Sequence, residues 1–170
     1  MPGVLIGIES TSQRHLDAVG KGFSSVETYE RRLRTFREAG IEVEASLIFG
    51  FDGEGPDAFA EAYRFLNRNH IRHATIWPLT PLPGTRLYER LRTEGRLKEE
   101  AWWLNMDVKF PRMKFTGGGR DEAEFESLFV TFHKKFFSIS RLFKRFLMFP
   151  SRKNLFSLFW WLSQRNSLDR

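Results

Sequence analysis

Three stretches of this sequence place polar residues or glycines at the end of an apolar run, the position where α/β proteins hold their ligands. The first is Val4-Leu5-Ile6-Gly7-Ile8-Glu9-Ser10. A carboxylate accepts hydrogen bonds and a hydroxyl both donates and accepts, so Glu9 and Ser10 have the chemistry to engage a ribose or an amino-acid head group. Ser10 could equally begin a helix cap and Glu9 end a strand in water, and spacing alone leaves both readings open.

The second stretch is Leu47-Ile48-Phe49-Gly50-Phe51-Asp52-Gly53-Glu54-Gly55-Pro56-Asp57. Its glycines lack the G-K-S/T of a P-loop and the G-x-G-x-x-G of a dinucleotide fingerprint, which disfavours a phosphate cradle. Asp52 and Glu54 could bind a cation or accept a proton. Acids in a turn before a helix also serve solvation and the helix dipole, so neither is given a catalytic role. The third stretch, Trp77-Pro78-Leu79-Thr80-Pro81-Leu82-Pro83-Gly84-Thr85, sets an aromatic ring and a row of carbonyls at a strand end. That suits a flat heterocycle, and it equally suits a rigid connection whose path proline fixes. His15, His70, His73 and His133 have no acidic or nucleophilic neighbour in a triad-like arrangement and read as structural or surface residues.

Composition bounds what these stretches can do. The chain has 170 residues and is 41% hydrophobic, enough for one core. It contains no cysteine, which excludes disulfides and thiolate metal sites built from its own residues, and four dispersed histidines do not suggest a zinc or iron site. No basic region precedes an apolar run at the N-terminus, so a cytoplasmic protein is expected. The net charge of +6 favours anionic partners without naming one.

The elements that must position the three stretches follow from periodicity. Strands are expected at Val4 to Glu9, Val43 to Phe49 and Ala74 to Leu79, each followed by a helix. Ser10, Thr11 and Ser12 offer caps for a short helix stopped by Gly20 and Gly22; Ser24 and Glu27 form a capping box for a second, which Gly40 closes. In that second helix Val26, Tyr29, Leu33 and Phe36 form one apolar face. Asp57 is expected to cap the third helix, and Thr85 the fourth, which ends at Gly95. Three successive strand-helix units predict parallel strands, too few for a closed barrel. Gly117-Gly118-Gly119 breaks the chain. Beyond it a long helix is expected from Asp121, with Phe125, Phe129, Phe132, Phe136, Ile139, Phe143 and Phe146 as its stripe and Pro150 as its interruption. The final aromatic segment, Leu155 to Leu162, is flanked by Arg152, Lys153 and Arg165 and is too short to span a bilayer. Core packing, a membrane-surface helix and nucleic-acid stacking all fit it.

Taken in order, Gly7-Ile8-Glu9-Ser10-Thr11-Ser12, Lys21-Gly22-Phe23, Ala39 to Val43 with Leu47 to Asp52, and Leu79-Thr80-Pro81-Leu82-Pro83-Gly84-Thr85-Arg86-Leu87-Tyr88 resemble the second half of a radical S-adenosylmethionine (SAM) protein. The group it resembles is the cobalamin-binding-domain type, which includes methyltransferases. The resemblance covers roughly the first two-thirds of the chain and is specific only when its pieces are taken jointly.

It implies a TIM-barrel-like (βα)6 partial barrel, of which residues 1–97 hold the last three strand-helix units. Residues 98–119 form a linker, and residues 120–170 a basic, aromatic helical extension. It also implies that SAM lies across the strand ends. Glu9 and Ser10 would contact ribose or methionine, Ile48, Gly50 and Phe51 the adenine side, and Trp77, Pro78 and Leu79 the adenine edge through their backbone. The usual G-x-I-x-G-x-x-E would put Gly at 46 and Glu at 53; this chain has Ser46 and Gly53, with acids at Asp52 and Glu54.

Radical SAM chemistry also requires a four-iron, four-sulfur cluster held by C-x-x-x-C-x-x-C. With no cysteine, this chain is expected to be a truncated or split product that cannot cleave SAM alone. Its cluster loop and any cobalamin domain would lie upstream of Met1. The implied partner is an N-terminal half bearing the cluster, paired along an open sheet edge. An anionic membrane surface is a second candidate partner, reached through the C-terminal tail, and nucleic acid is the least favoured.

Overall fold

The apolar runs become three parallel strands: β1 (Gly3–Glu9), β2 (Glu42–Phe49) and β3 (His73–Pro78), hydrogen-bonded in that order. The computed structural model describes residues 3–18, 25–105, 112–117, 121–138 and 140–141. Around the sheet lie α1 (Gln13–Ala18), α2 (Val26–Glu38), α3 (Asp57–Arg68), α4 (Arg86–Thr93) and α5 (Glu122–Phe136), with a 3-10 turn at Trp102–Leu104. The mixed α/β class expected from the alternation therefore stands.

Register decides which residues share a face. Val4 pairs with Val43, Ile6 with Ala45, Leu47 with Ile76 and Phe49 with Pro78. Because side chains alternate along a strand, these residues all turn to one side, where they meet Tyr29 and Leu33 of α2 and Phe59, Ala62, Phe65 and Leu66 of α3. Each Val, Leu, Ile or Phe side chain among them stabilises the fold by about 1.5–3 kcal/mol when fully removed from water. The apolar stripe of α5 joins the same core. Phe59 stacks on Phe49 with centroids 4.1 Å apart, and Phe132 approaches Phe49 at 5.5 Å, so one aromatic cluster links strand, α3 and α5.

The helix ends differ from expectation in three places. Ser25, rather than Ser24, caps α2, its hydroxyl accepting from the Thr28 amide at 3.0 Å. Tandem serines look alike in sequence, and the backbone at Ser25 is the extended one that a cap needs. Asp57 is not the cap of α3 but its first helical residue; Pro56 occupies the cap position in a helical conformation without a side-chain bond. Asp57 there still favours the helix dipole. Finally, α5 ends at Phe136 with Phe137 as its C-cap, and residues 140–141 are again helical, so the long helix expected from the phenylalanine spacing is interrupted after Phe136. Thr85 caps α4 as expected, accepting from Tyr88 at 3.2 Å. The stops at Gly20 and Gly22, the break at Gly118 and Gly119, the later stripe residues and the basic aromatic tail lie outside the described residues. No helix among the described residues is long and apolar enough to cross a membrane.

Candidate ligand-binding rim at the strand ends

At the end of β1 the register slips between Gly7 and Glu9. Glu9 has φ +64°, and the Ser10 amide donates back to the Ile8 carbonyl at 2.8 Å, closing a tight turn around a non-glycine residue. Such a conformation costs on the order of 1–3 kcal/mol and persists where surrounding contacts over-determine it. The turn carries Ser10 inward until it is buried. Its Oγ accepts from the Ser12 amide at 3.1 Å and lies 3.4 Å from His15 Nδ1.

Past β2 the chain turns at Gly50, whose φ of +105° is open essentially to glycine alone. A Cβ there would also meet Met113 Cε at 2.7 Å. The Gly50 amide donates to Glu54 Oε2 at 2.5 Å, and the Glu54 amide donates to the Phe51 carbonyl at 3.0 Å. The Glu54 side chain is only 1% exposed, and its Oε1 lies 3.8 Å from the Nδ1 of buried His15. The His15 ring stacks on Phe51 with centroids 5.2 Å apart. Ser10, His15 and Glu54 are three of the four buried polar or charged residues among those described, the fourth being His133, so the polar interior is concentrated at this rim.

These contacts correct two expectations. Glu54 does not serve solvation, and His15 does have an acidic neighbour, contributed by a turn 39 positions along the chain. The one sequence signal that could have found Glu54 is its place four residues after Gly50, close enough for the carboxylate to fold back on the glycine amide. His73 also has an acidic partner: its Nε2 lies 3.1 Å from Glu42 Oε1. His73 and Arg72 hold the Glu42 carboxyl below its ordinary pKa. Asp52 faces outward instead, pairing with Arg96 at 2.5 and 3.0 Å and with Arg90 at 3.4 Å. The Asp52 hydrogen bond is the main reason that the Arg96 pKa is raised.

Ile48 is paired with Trp77 in register, on the face opposite the core. That face also carries Leu5, Glu44, Ser46 and Thr75, and its apolar members stay accessible, Trp77 at 51% and Leu5 at 64%. Pro78 turns to the core, while the Leu79 amide donates to the Phe49 carbonyl at 2.7 Å. Of the residues named from sequence, Ser10, Gly50 and Phe51 meet around His15 and Glu54, Ile48 and Trp77 adjoin on the open face, and Glu9 stands on the outermost strand. A cavity of about 210 Å³ lies against the β2 turn, lined among others by Gly50, Phe51, Glu54, Met113, Phe115 and Phe125. No group of three histidine, cysteine, aspartate or glutamate residues suited to a metal ion occurs among the described residues.

No family model matches the chain. Comparison with curated proteins gives a consistent picture. Over 100 residues, 58% of this chain, it is 32% identical to the bacteriochlorophyllide d C-8(2)-methyltransferase of Chlorobaculum tepidum. The chain is similar to methyltransferases. The hopanoid C-2 methylase of Rhodopseudomonas palustris is 33% identical over 109 residues, 64% of the chain. The anaerobic magnesium-protoporphyrin IX monomethyl ester cyclase of Cereibacter sphaeroides is 33% identical over 91 residues, 54% of the chain. The matches cover 22%, 21% and 15% of these relatives, so this chain corresponds to a minor part of each. They support the radical SAM resemblance carried by the motifs.

Proposed function

We propose that this chain supplies the SAM-holding strands of a radical SAM enzyme of the methyltransferase type, and that the iron-sulfur cluster is carried by a further segment, on the same polypeptide or on a separate one. The observation that carries this reading is the alignment of three strand ends in one parallel sheet, with Ile48 beside Trp77 and the Ser10 and Gly50 turns adjoining. Ile48 and Trp77 offer an apolar surface for adenine. Backbone groups around Trp77 to Leu79 face the adenine edge, and Ser10 and Glu9 face the ribose or the methionine head group. The position at which G-x-I-x-G-x-x-E has its Glu is Gly53 here, and the neighbouring Glu54 is bound to the Gly50 amide.

The cluster does not fit this chain's residues, because thiolates bind such iron and the sequence has no cysteine. No catalytic step is therefore assigned to the chain by itself. A cobalamin site, where the complete enzyme has one, belongs to that further segment. Among the described residues β1 is an outer strand of the sheet, beside the rim, and parallel addition of the cluster-bearing half along it is the pairing we propose.

The test is SAM cleavage under reducing conditions. The purified chain should form no 5'-deoxyadenosine, and addition of a cluster-bearing N-terminal half should restore it and co-purify with the chain. A stoichiometric cluster and deoxyadenosine formation by the chain alone would sink the proposal, as would a monomer indifferent to that half.

A further inference from the structure

Ser10 and Glu54 belong to two different turns, and the side chain between them is His15 of α1. Its Nδ1 lies 3.4 Å from Ser10 Oγ and 3.8 Å from Glu54 Oε1, while its ring face rests on Phe51. An ionised Glu54 can only accept, and it therefore favours the tautomer in which the ring nitrogen turned towards it carries hydrogen. Ser10 Oγ then faces two N–H groups, from His15 and from the Ser12 amide at 3.1 Å. Both its acceptor sites are taken.

From this arrangement we infer that His15 is a positioning residue. Its Nδ1–H joins the turn after β1 to the turn after β2, and it leaves the Ser10 hydroxyl proton for an acceptor atom of a ligand at the rim. The inference rests on the reading of this rim as the SAM-holding edge, which it deepens by giving Ser10 the role of donor. It also explains how Glu54 can be almost wholly buried yet bound to the Gly50 amide. One carboxylate oxygen accepts from the Gly50 amide and the other faces the ring nitrogen at 3.8 Å, an electrostatic approach rather than a hydrogen bond; burial of a charge is tolerated only with such partners.

The experiment uses the full chain with nitrogen-15 in its histidines. Long-range proton-nitrogen spectra should show His15 with hydrogen on Nδ1; a neutral ring with bare Nδ1 would overturn the inference. In Glu54→Gln, whose amide can donate, the His15 population should shift towards the Nε2–H tautomer, and an unchanged spectrum would count against the proposed pairing. His15→Phe keeps a ring to stack on Phe51 but removes the polar edge. In it the Gly50 amide should exchange with solvent roughly tenfold faster, the size expected when a buried hydrogen bond is weakened; unchanged exchange would contradict the coupling. Titration of the wild-type chain with SAM separates this inference from the function. An Nδ1–H ring with no response to SAM even with the cluster-bearing half present rejects the function alone, whereas SAM binding beside a bare Nδ1 rejects the inference alone.

Discussion

The two faces of the three-stranded sheet are built from the same alternating strands but do different work. The covered face pairs Val4 with Val43, Ala45 with Ala74 and Leu47 with Ile76 beneath α2 and α3. The other face sets Glu44 beside Thr75, with a 2.6 Å hydrogen bond, and Ile48 beside a half-exposed Trp77. Parallel sheets ordinarily have both faces covered. Here the described apolar packing is concentrated on one face, while Trp77 on the other is half-exposed, so substitutions on the two faces should have separable effects.

The contrast is sharpest in the aromatic cluster. Phe129 is fully buried and meets Phe59 edge-on at 6.4 Å. Phe129→Ala should cost about 3–5 kcal/mol in urea unfolding, because transfer and cavity terms add. A loss below about 1 kcal/mol would mean that α5 is not part of the core.

The next effect is a dependence on pH. Burial pushes the His133 pKa down to about 4, from an ordinary value near 6.5. The unfolded chain therefore binds a proton more readily than the folded one between these values, so stability is full above about 6.5 and falls as the pH drops towards 4. The loss should be at most about 3 kcal/mol, from 1.36 kcal/mol per pKa unit. His133→Phe should flatten this part of the stability curve, and an unchanged curve would remove His133 as its cause.

Smaller again is the outward acid of the β2 turn. Asp52→Asn breaks the charged pairing with Arg96 at a partly exposed site, and about 1 kcal/mol or less should be lost, shrinking as salt is added. This sets Asp52 apart from Glu54, two residues away. Loss of the buried carboxylate in Glu54→Ala should cost more than Asp52→Asn, because the Gly50 amide is left without its partner. Smallest in stability is Trp77→Ala on the open face, within about 0.5 kcal/mol in unfolding, as for surface positions generally. Its effect should appear instead as weaker SAM binding. A large stability loss would show that the open face is structural.

Much of this molecule was legible in its sequence because the signals are local. Short apolar runs gave the strands, although Leu5 is exposed where a run buried on both faces was expected; glycines marked the turns at Gly40, Gly50 and Gly95, and the Thr85 hydroxyl announced α4. The polar rim was not legible. Glu54 reads like any turn acid until the chain closes back on Gly50, and His15 acquires an acidic neighbour only when β1 and β2 lie side by side. Neither contact has a periodic signature. The cap of α2 was placed one residue early because Ser24 and Ser25 offer the same hydroxyl, and only backbone conformation distinguishes them. The end of α5 was missed because the phenylalanine spacing continues past Phe136, where the helix stops.

The central claim is that SAM is held by this chain's own strand ends, and it is tested most directly by following the backbone amides of the labelled full chain as SAM is added. The account predicts saturable shifts at Ser10, Ile48, Gly50 and Leu79, weakened together in Trp77→Ala and absent from the helix-covered core at Phe65 and Leu66. Shifts confined to other surfaces, or none at any SAM concentration even with a cluster-bearing half present, would contradict it.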